Sequence, residues 1–127
     1  MNKKTAVKIA FSVLFIHGFI EVSGAVMLLA LPIRLLATAG FQDGGTILFM
    51  AALSAICGLS RIVAGYEIRL MKKWGIVFGI VLSIATMIGS SSIYPFGVMD
   101  LLLATIVLVS LLYTWFGSET LFAKTGE

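Results

Sequence analysis

Hydrophobic residues in this chain come in long runs that do not alternate with polar ones. The first extends from Ile9 to Leu31 and is broken only by His17 and Glu21. At about 1.5 Å per helical residue it reaches roughly 34 Å, more than the bilayer's hydrocarbon core of about 30 Å. The second, Thr46 to Ile68, follows the turn-forming stretch Gly40-Phe41-Gln42-Asp43-Gly44-Gly45, where Asp43 or Thr46 can cap a first turn. The third, Trp74 to Ile93, carries no charge, and the fourth, Phe96 to Phe116, follows Tyr94-Pro95. Pro95 suits a helix start, where its missing N–H would have no partner anyway. Pro32 and Arg34 bend or end the first span, and residues 33–41 read equally as an extension of that helix or as an interfacial segment. Hydrocarbon offers the backbone no hydrogen bonds, so each span must satisfy its own peptide groups. Runs twice the roughly 10 residues of a barrel strand do so as helices.

The expected fold is therefore all-α: one membrane domain over residues 1–127, a four-helix transmembrane bundle with spans near 9–31, 46–68, 74–93 and 96–116. Short loops make successive helices antiparallel neighbours, an up-down-up-down order. Composition agrees. Sixty per cent of residues are apolar and 12% are charged, against roughly 25% charged in soluble domains. The basic residues fix an expected orientation. Lys3, Lys4 and Lys8 precede span one, Arg69, Lys72 and Lys73 join spans two and three, and Lys124 follows span four, whereas the opposite side holds only Arg34. Positive residues stay inside, so both termini are expected in the cytoplasm and the chain in a cytoplasmic (inner) membrane. The net charge of +3 is thus a topology signal and implies no nucleic-acid partner. Lys3-Lys4, a short apolar core and Val22-Ser23-Gly24-Ala25 loosely mimic a cleavable signal peptide. The run continues to Leu31 with Glu21 deep inside it, which favours a retained span.

Ionisable residues inside such spans cost energy and need company. His17 and Glu21 stand four apart on one helix face. Counted from the same end of the bundle, Arg61 lies at a similar depth, so His17, Glu21 and Arg61 can form an intramembrane polar cluster. Arg61 can instead extend toward the near headgroups and leave Glu21 without it. Glu67 is placed to pair with Arg69, Lys72 or Lys73, and Asp100 to sit on the favourable dipole of its helix's first turn. Both are expected to be structural. Small residues frame the cluster. Gly18 to Gly24 in span one parallels Gly58 to Gly65 in span two, and Gly75-Ile76-Val77-Phe78-Gly79 is a GxxxG pattern. These glycines (Gly18, Gly24, Gly58, Gly65, Gly75 and Gly79) are candidate helix-packing positions, because membrane helices associate through close backbone approach.

No Walker loop, HExxH or Cys/His metal spacing is present, one histidine cannot form a bis-histidine haem site, and Cys57 stands alone. The expectation is a chain without catalytic residues, metal or cofactor, and not an enzyme. His17-Gly18-Phe19-Ile20-Glu21, Gly58 to Gly65, Lys73-Trp74-Gly75 and Tyr94-Pro95-Phe96-Gly97-Val98-Met99-Asp100 together resemble a broad group of small prokaryotic four-helix membrane proteins of unknown function, and more loosely the DoxX-like membrane proteins. The resemblance implies a four-helix bundle in a prokaryotic cytoplasmic membrane and transfers no site residue. Its association with redox systems finds only Cys57 here. Two function classes remain. One is a non-catalytic packing or interaction module whose partners are the lipid bilayer and either a second copy, as a homodimer, or another membrane protein. The alternative is a small transporter or ligand-binding membrane protein with a midplane polar site at His17, Glu21 and Arg61.

Overall fold

A computed structural model describes residues 2–91 and 97–116. Among the described residues five helices follow in chain order: α1 (Lys3–Ala30), α2 (Ile33–Thr38), α3 (Gly44–Arg69), α4 (Lys73–Ser90) and α5 (Gly97–Phe116). Four of them are long and apolar enough to cross a membrane. α1 starts ahead of its apolar run because the Asn2 side chain caps it, accepting the Lys4 N–H at 3.0 Å. It stops at Leu31, where the extended backbone of Pro32 cannot continue the helix. The segment left open by the sequence is a separate short helix, α2, followed by a turn through Gly40 at φ +94°. Asp43 caps α3, accepting hydrogen bonds from the backbone N–H groups of Gly45 and Thr46 and from the Thr46 hydroxyl. The N–H of Gly45 and the two Thr46 donors hold its carboxyl below the usual range, the Thr46 hydroxyl having the largest effect. The expected end of span three at Ile93, and Tyr94, Pro95 and Phe96, lie outside the described residues, as does Lys124.

α1 packs against α3 and α5, and α4 packs against α3 and α5, which closes a square, antiparallel up-down-up-down bundle. The tightest crossing is between α1 and α3. A methyl group on Gly18 would stand 2.6 Å from the Gly58 carbonyl oxygen, and one on Gly58 would stand 2.7 Å from that of Gly18. Only glycine lets the two backbones lie this close. Of the other expected packing positions, Gly75 lies against Glu67 of α3, and Gly79 lies between Leu111 and Ile68. The GxxxG pair therefore packs inside the chain. A methyl group on Gly65 would make ordinary contact with Phe11 and Leu14, and one on Gly24 would only graze Ser54 at 4.0 Å. One further close glycine lies outside the expected set: a methyl group on Gly97 would run into the Ser90 backbone at the α4–α5 corner.

Radial polarity is inverted relative to a water-soluble protein. Phe19, Ile20, Phe49, Ile56 and Ile88 are each more than half exposed, while His17, Arg61, Ser83, Ser110 and Thr114 are buried. The buried Ser83, Ser110 and Thr114 hydroxyls each donate to the carbonyl one turn back, so the interior holds few unpaired polar groups. An apolar core of Val7, Ala10 and Leu14 from α1, Ala64 and Ile68 from α3, Ile76 from α4, and Val107 and Leu111 from α5 fills the half of the bundle nearest Lys3. His17, Glu21, Arg61 and Asp100, the ionisable residues deepest within the long helices, lie beyond this core.

Candidate functional site

Antiparallel packing brings residues far apart in sequence to one level. His17 Nε2 lies 3.0 Å from Asp100 Oδ1. One turn further along α1, Glu21 Oε2 contacts Arg61 Nη1, and Arg61 Nη2 donates to Thr86 Oγ1. Thr86 in turn donates to the Leu82 carbonyl at 2.8 Å, and Ser54 donates to the Glu21 carbonyl at 2.8 Å. Helices α1, α3, α4 and α5 each contribute a side chain. His17 and Glu21, one turn apart, bond to different partners rather than to each other.

Arg61 runs away from the Lys3 end, not toward it. Helical Cα–Cβ bonds tilt toward the helix N-terminus, and the N-terminus of α3 is the far end. The side chain therefore starts out in the direction of Glu21 and Thr86, and does not extend toward the Lys3 end of the bundle. Glu67 pairs with Lys72 at 2.8 Å, within the basic loop.

Asp100 departs from its expected role. It does lie in the first turn of α5, but its carboxylate meets the buried His17 instead of serving only the helix dipole. The sequence carries one sign of this: Asp100 is a carboxylate within an apolar run. Its partner stands 83 positions earlier in the chain, so no local pattern points to it. Thr86 and Ser54, equally involved, look like ordinary small polar residues in the sequence.

Beside the cluster lies a cleft of about 420 Å³ between α3 and α4. Toward the Lys3 end these helices are tightly packed at Gly75 and Glu67. Beyond Arg61 they part. Met50, Leu53, Ser54 and Cys57 of α3 face Leu82, Ala85, Thr86, Gly89 and Ser90 of α4, with Glu21, Arg61 and Asp100 on the remaining wall. The His17 side chain is 3% exposed, that of Glu21 17% and that of Asp100 45%, so of the cluster's two carboxyl groups Asp100 is the more open to a visitor.

No family model matches the chain, and no curated protein or solved structure is similar to it. The chemistry of the site is therefore read from its geometry. One ligand atom each from His17, Glu21 and Asp100 lies within 4.8 Å of the others, close enough to converge on one small cation. Arg61 already occupies Glu21, however, and its fixed positive charge opposes a metal ion at that point. The cluster holds two carboxyl groups, one imidazole and one guanidinium, so its carboxyl groups outnumber its one permanent cation. A proton or an organic cation of modest charge density can balance the difference from the open side at Asp100.

Proposed function

We propose that this chain is a multi-pass membrane protein, with both termini on the cytoplasmic side, whose α3–α4 cleft binds a small lipophilic cation. The observation that carries this reading is the half-open Asp100 carboxylate facing a largely apolar cleft while Arg61 is committed to Glu21 and Thr86. Apolar walls with a few placed polar groups are the usual make-up of small-molecule sites. An ionisable group amid apolar helices is a functional candidate by default. This reading is one of binding, and the wall hydroxyls of Ser54 and Thr86, which donate to backbone carbonyls, are consistent with it.

The test uses two probes of like shape and opposite charge, tetraphenylphosphonium and tetraphenylborate, in equilibrium dialysis against the full chain in phosphatidylcholine nanodiscs. Saturable binding of the cation only is expected. Asp100→Asn should weaken it by at least about tenfold, since contacts with a charged group contribute about 1.5–3 kcal/mol. Equal binding of the anion, or no saturable binding beyond that of empty nanodiscs, would rule the reading out.

A second reading is favoured by one observation, the Glu21–Arg61 pair beside the Gly18–Gly58 crossing. In it the pair is a clasp that holds α1 to α3 in a non-catalytic packing module, which associates with a second copy or with another membrane protein. That reading expects no cation binding and a helix pair whose stability depends on both charges.

A further inference from the structure

The end of the bundle that carries Lys3 has a second cavity, of about 530 Å³, on the outer face of α1 and α3. Lys4 and Lys8 stand one turn apart on α1 and line it together with Arg69, the last residue of α3. Lys4 and Lys8 on one helix face repel each other. Among the described residues no carboxylate pairs with any of the three, while Glu67 is taken by Lys72. Arg69 is held with its guanidinium 5.5 Å from the centre of the Phe11 ring, a cation–π distance that keeps it at the cavity wall. Three convergent cations without a counter-ion make an anion site.

The cavity does not end in water alone. Phe11 stacks on Phe15 at 5.6 Å and Phe15 on Phe19 at 6.0 Å, a ladder climbing the outer face of α1 away from the cations. Phe15 and Phe19 line an apolar groove of about 580 Å³ that continues along the same helix. A basic pocket at the boundary of the apolar runs, leading into an apolar track along them, matches an amphiphile with an anionic head and a hydrocarbon tail. We propose that Lys4, Lys8 and Arg69 bind the phosphate headgroup of an anionic phospholipid, with an acyl chain laid along Phe15 and Phe19. Basic pockets at the cytoplasmic ends of membrane helices are suited to such headgroups. The proposal rests on the membrane-spanning reading of the helices. It is independent of the cation cleft, so failure of either binding test leaves the other standing.

The experiment places the full chain in phosphatidylcholine vesicles and measures, by spin-label immobilisation, the affinity of trace spin-labelled phosphatidylglycerol against spin-labelled phosphatidylcholine. Phosphatidylglycerol should be preferred in the wild type. Each neutralisation (Lys4→Gln, Lys8→Gln or Arg69→Gln) should lower that preference by about fivefold, and the triple variant should abolish it. Lys8→Arg should retain it, and so should Arg34→Gln, which removes an exposed cation from the other end of the bundle. All three pocket cations are exposed, so the variants should fold, and a helical circular-dichroism spectrum checks this. If the triple variant nevertheless unfolds, the single variants decide. Phe15→Ala should weaken retention of phosphatidylglycerol while keeping its preference over phosphatidylcholine, because the two probe lipids share the acyl chain. Equal immobilisation of the two lipids, an unchanged preference in the neutralised variants, or displacement of phosphatidylglycerol by millimolar inorganic phosphate at constant ionic strength would overturn the lipid assignment.

Discussion

Replacing Gly18 with alanine should separate α1 from α3. The added methyl group would stand 2.6 Å from the Gly58 carbonyl oxygen and 2.9 Å from Ile62 Cγ1. Ile62 can turn away, but the carbonyl belongs to a helix and cannot. Restoring an ordinary contact of 3.4 Å means moving the helices apart by roughly 0.8 Å, and a gap of about that size forfeits a quarter to a half of each van der Waals contact across the face. Overpacking of this kind typically costs about 1–3 kcal/mol. The methyl group itself raises helix propensity by about 1 kcal/mol at most, which offsets only part of the loss. Gly24→Ala is the internal control. It adds the same methyl group to the same helix where the nearest atom is Ser54 Oγ at 4.0 Å, and should be neutral or slightly stabilising. Unfolding of both variants in mixed detergent, followed by far-ultraviolet circular dichroism, measures the difference. If Gly18→Ala unfolds with the wild type, or Gly24→Ala loses as much as Gly18→Ala, the α1–α3 crossing is not where the structure puts it.

Gly97→Ala should destabilise by a similar about 1–3 kcal/mol in the same assay, because its methyl group would meet the Ser90 backbone and force the α4–α5 corner open. Arg61→Met should destabilise more than the pair Arg61→Met with Glu21→Gln, since a lone buried carboxylate is worse than none; a double-mutant cycle should return a coupling of about 0.5–3 kcal/mol. The Asp43 cap should weaken in acid. Its folded carboxyl titrates below the ordinary value, so its contribution is complete above the unfolded value and is lost as the pH falls through the lowered one. Protection of the Gly45 and Thr46 amides, taken relative to the intrinsic exchange rate at each pH, should therefore fall below about pH 4 in the wild type and show no such step in Asp43→Asn.

The helices were legible in the sequence because their cause is local. A run such as Ile9 to Leu31 has the length and apolarity of a span whatever it packs against. Gly18 and Gly58 were legible for a related reason: a small residue in an apolar helix matters chiefly as a place where another helix comes close. Glu21 and Arg61 could be matched by depth, since both were counted from the same end of the bundle. Asp100 was assigned to its own helix end because depth counted from that end says nothing about how far His17 reaches toward it. Gly97 was passed over because its close contact is with the preceding helix's last residue, across a corner that has no periodic pattern. The parting of α3 and α4 beyond Arg61 was invisible for the same reason. It depends on the relative tilt of two helices, a property of neither sequence segment alone.

The glycine crossing and the ion pair are one device. Gly18 precedes Glu21 by less than one turn of α1, and Gly58 precedes Arg61 by the same offset in α3. Because the helices are antiparallel, these offsets run in opposite directions from the crossing point. Glu21 lies about 4.5 Å to one side and Arg61 about 4.5 Å to the other. Only a long side chain leaning toward its helix N-terminus closes that gap, and arginine on α3 does so. Lysine would reach with a single point charge and leave Thr86 without a donor, since the guanidinium holds Glu21 and Thr86 through separate nitrogens. Loosening the crossing with Gly18→Ala should therefore also stretch the Glu21–Arg61 contact. The energetic effects of Gly18→Ala and Arg61→Met must then be less than additive, because whichever comes first has already weakened what the second removes. Strict additivity of the two in the detergent-unfolding assay would show the pair and the crossing to be independent, and Arg61 would then be held by α4 rather than by α1.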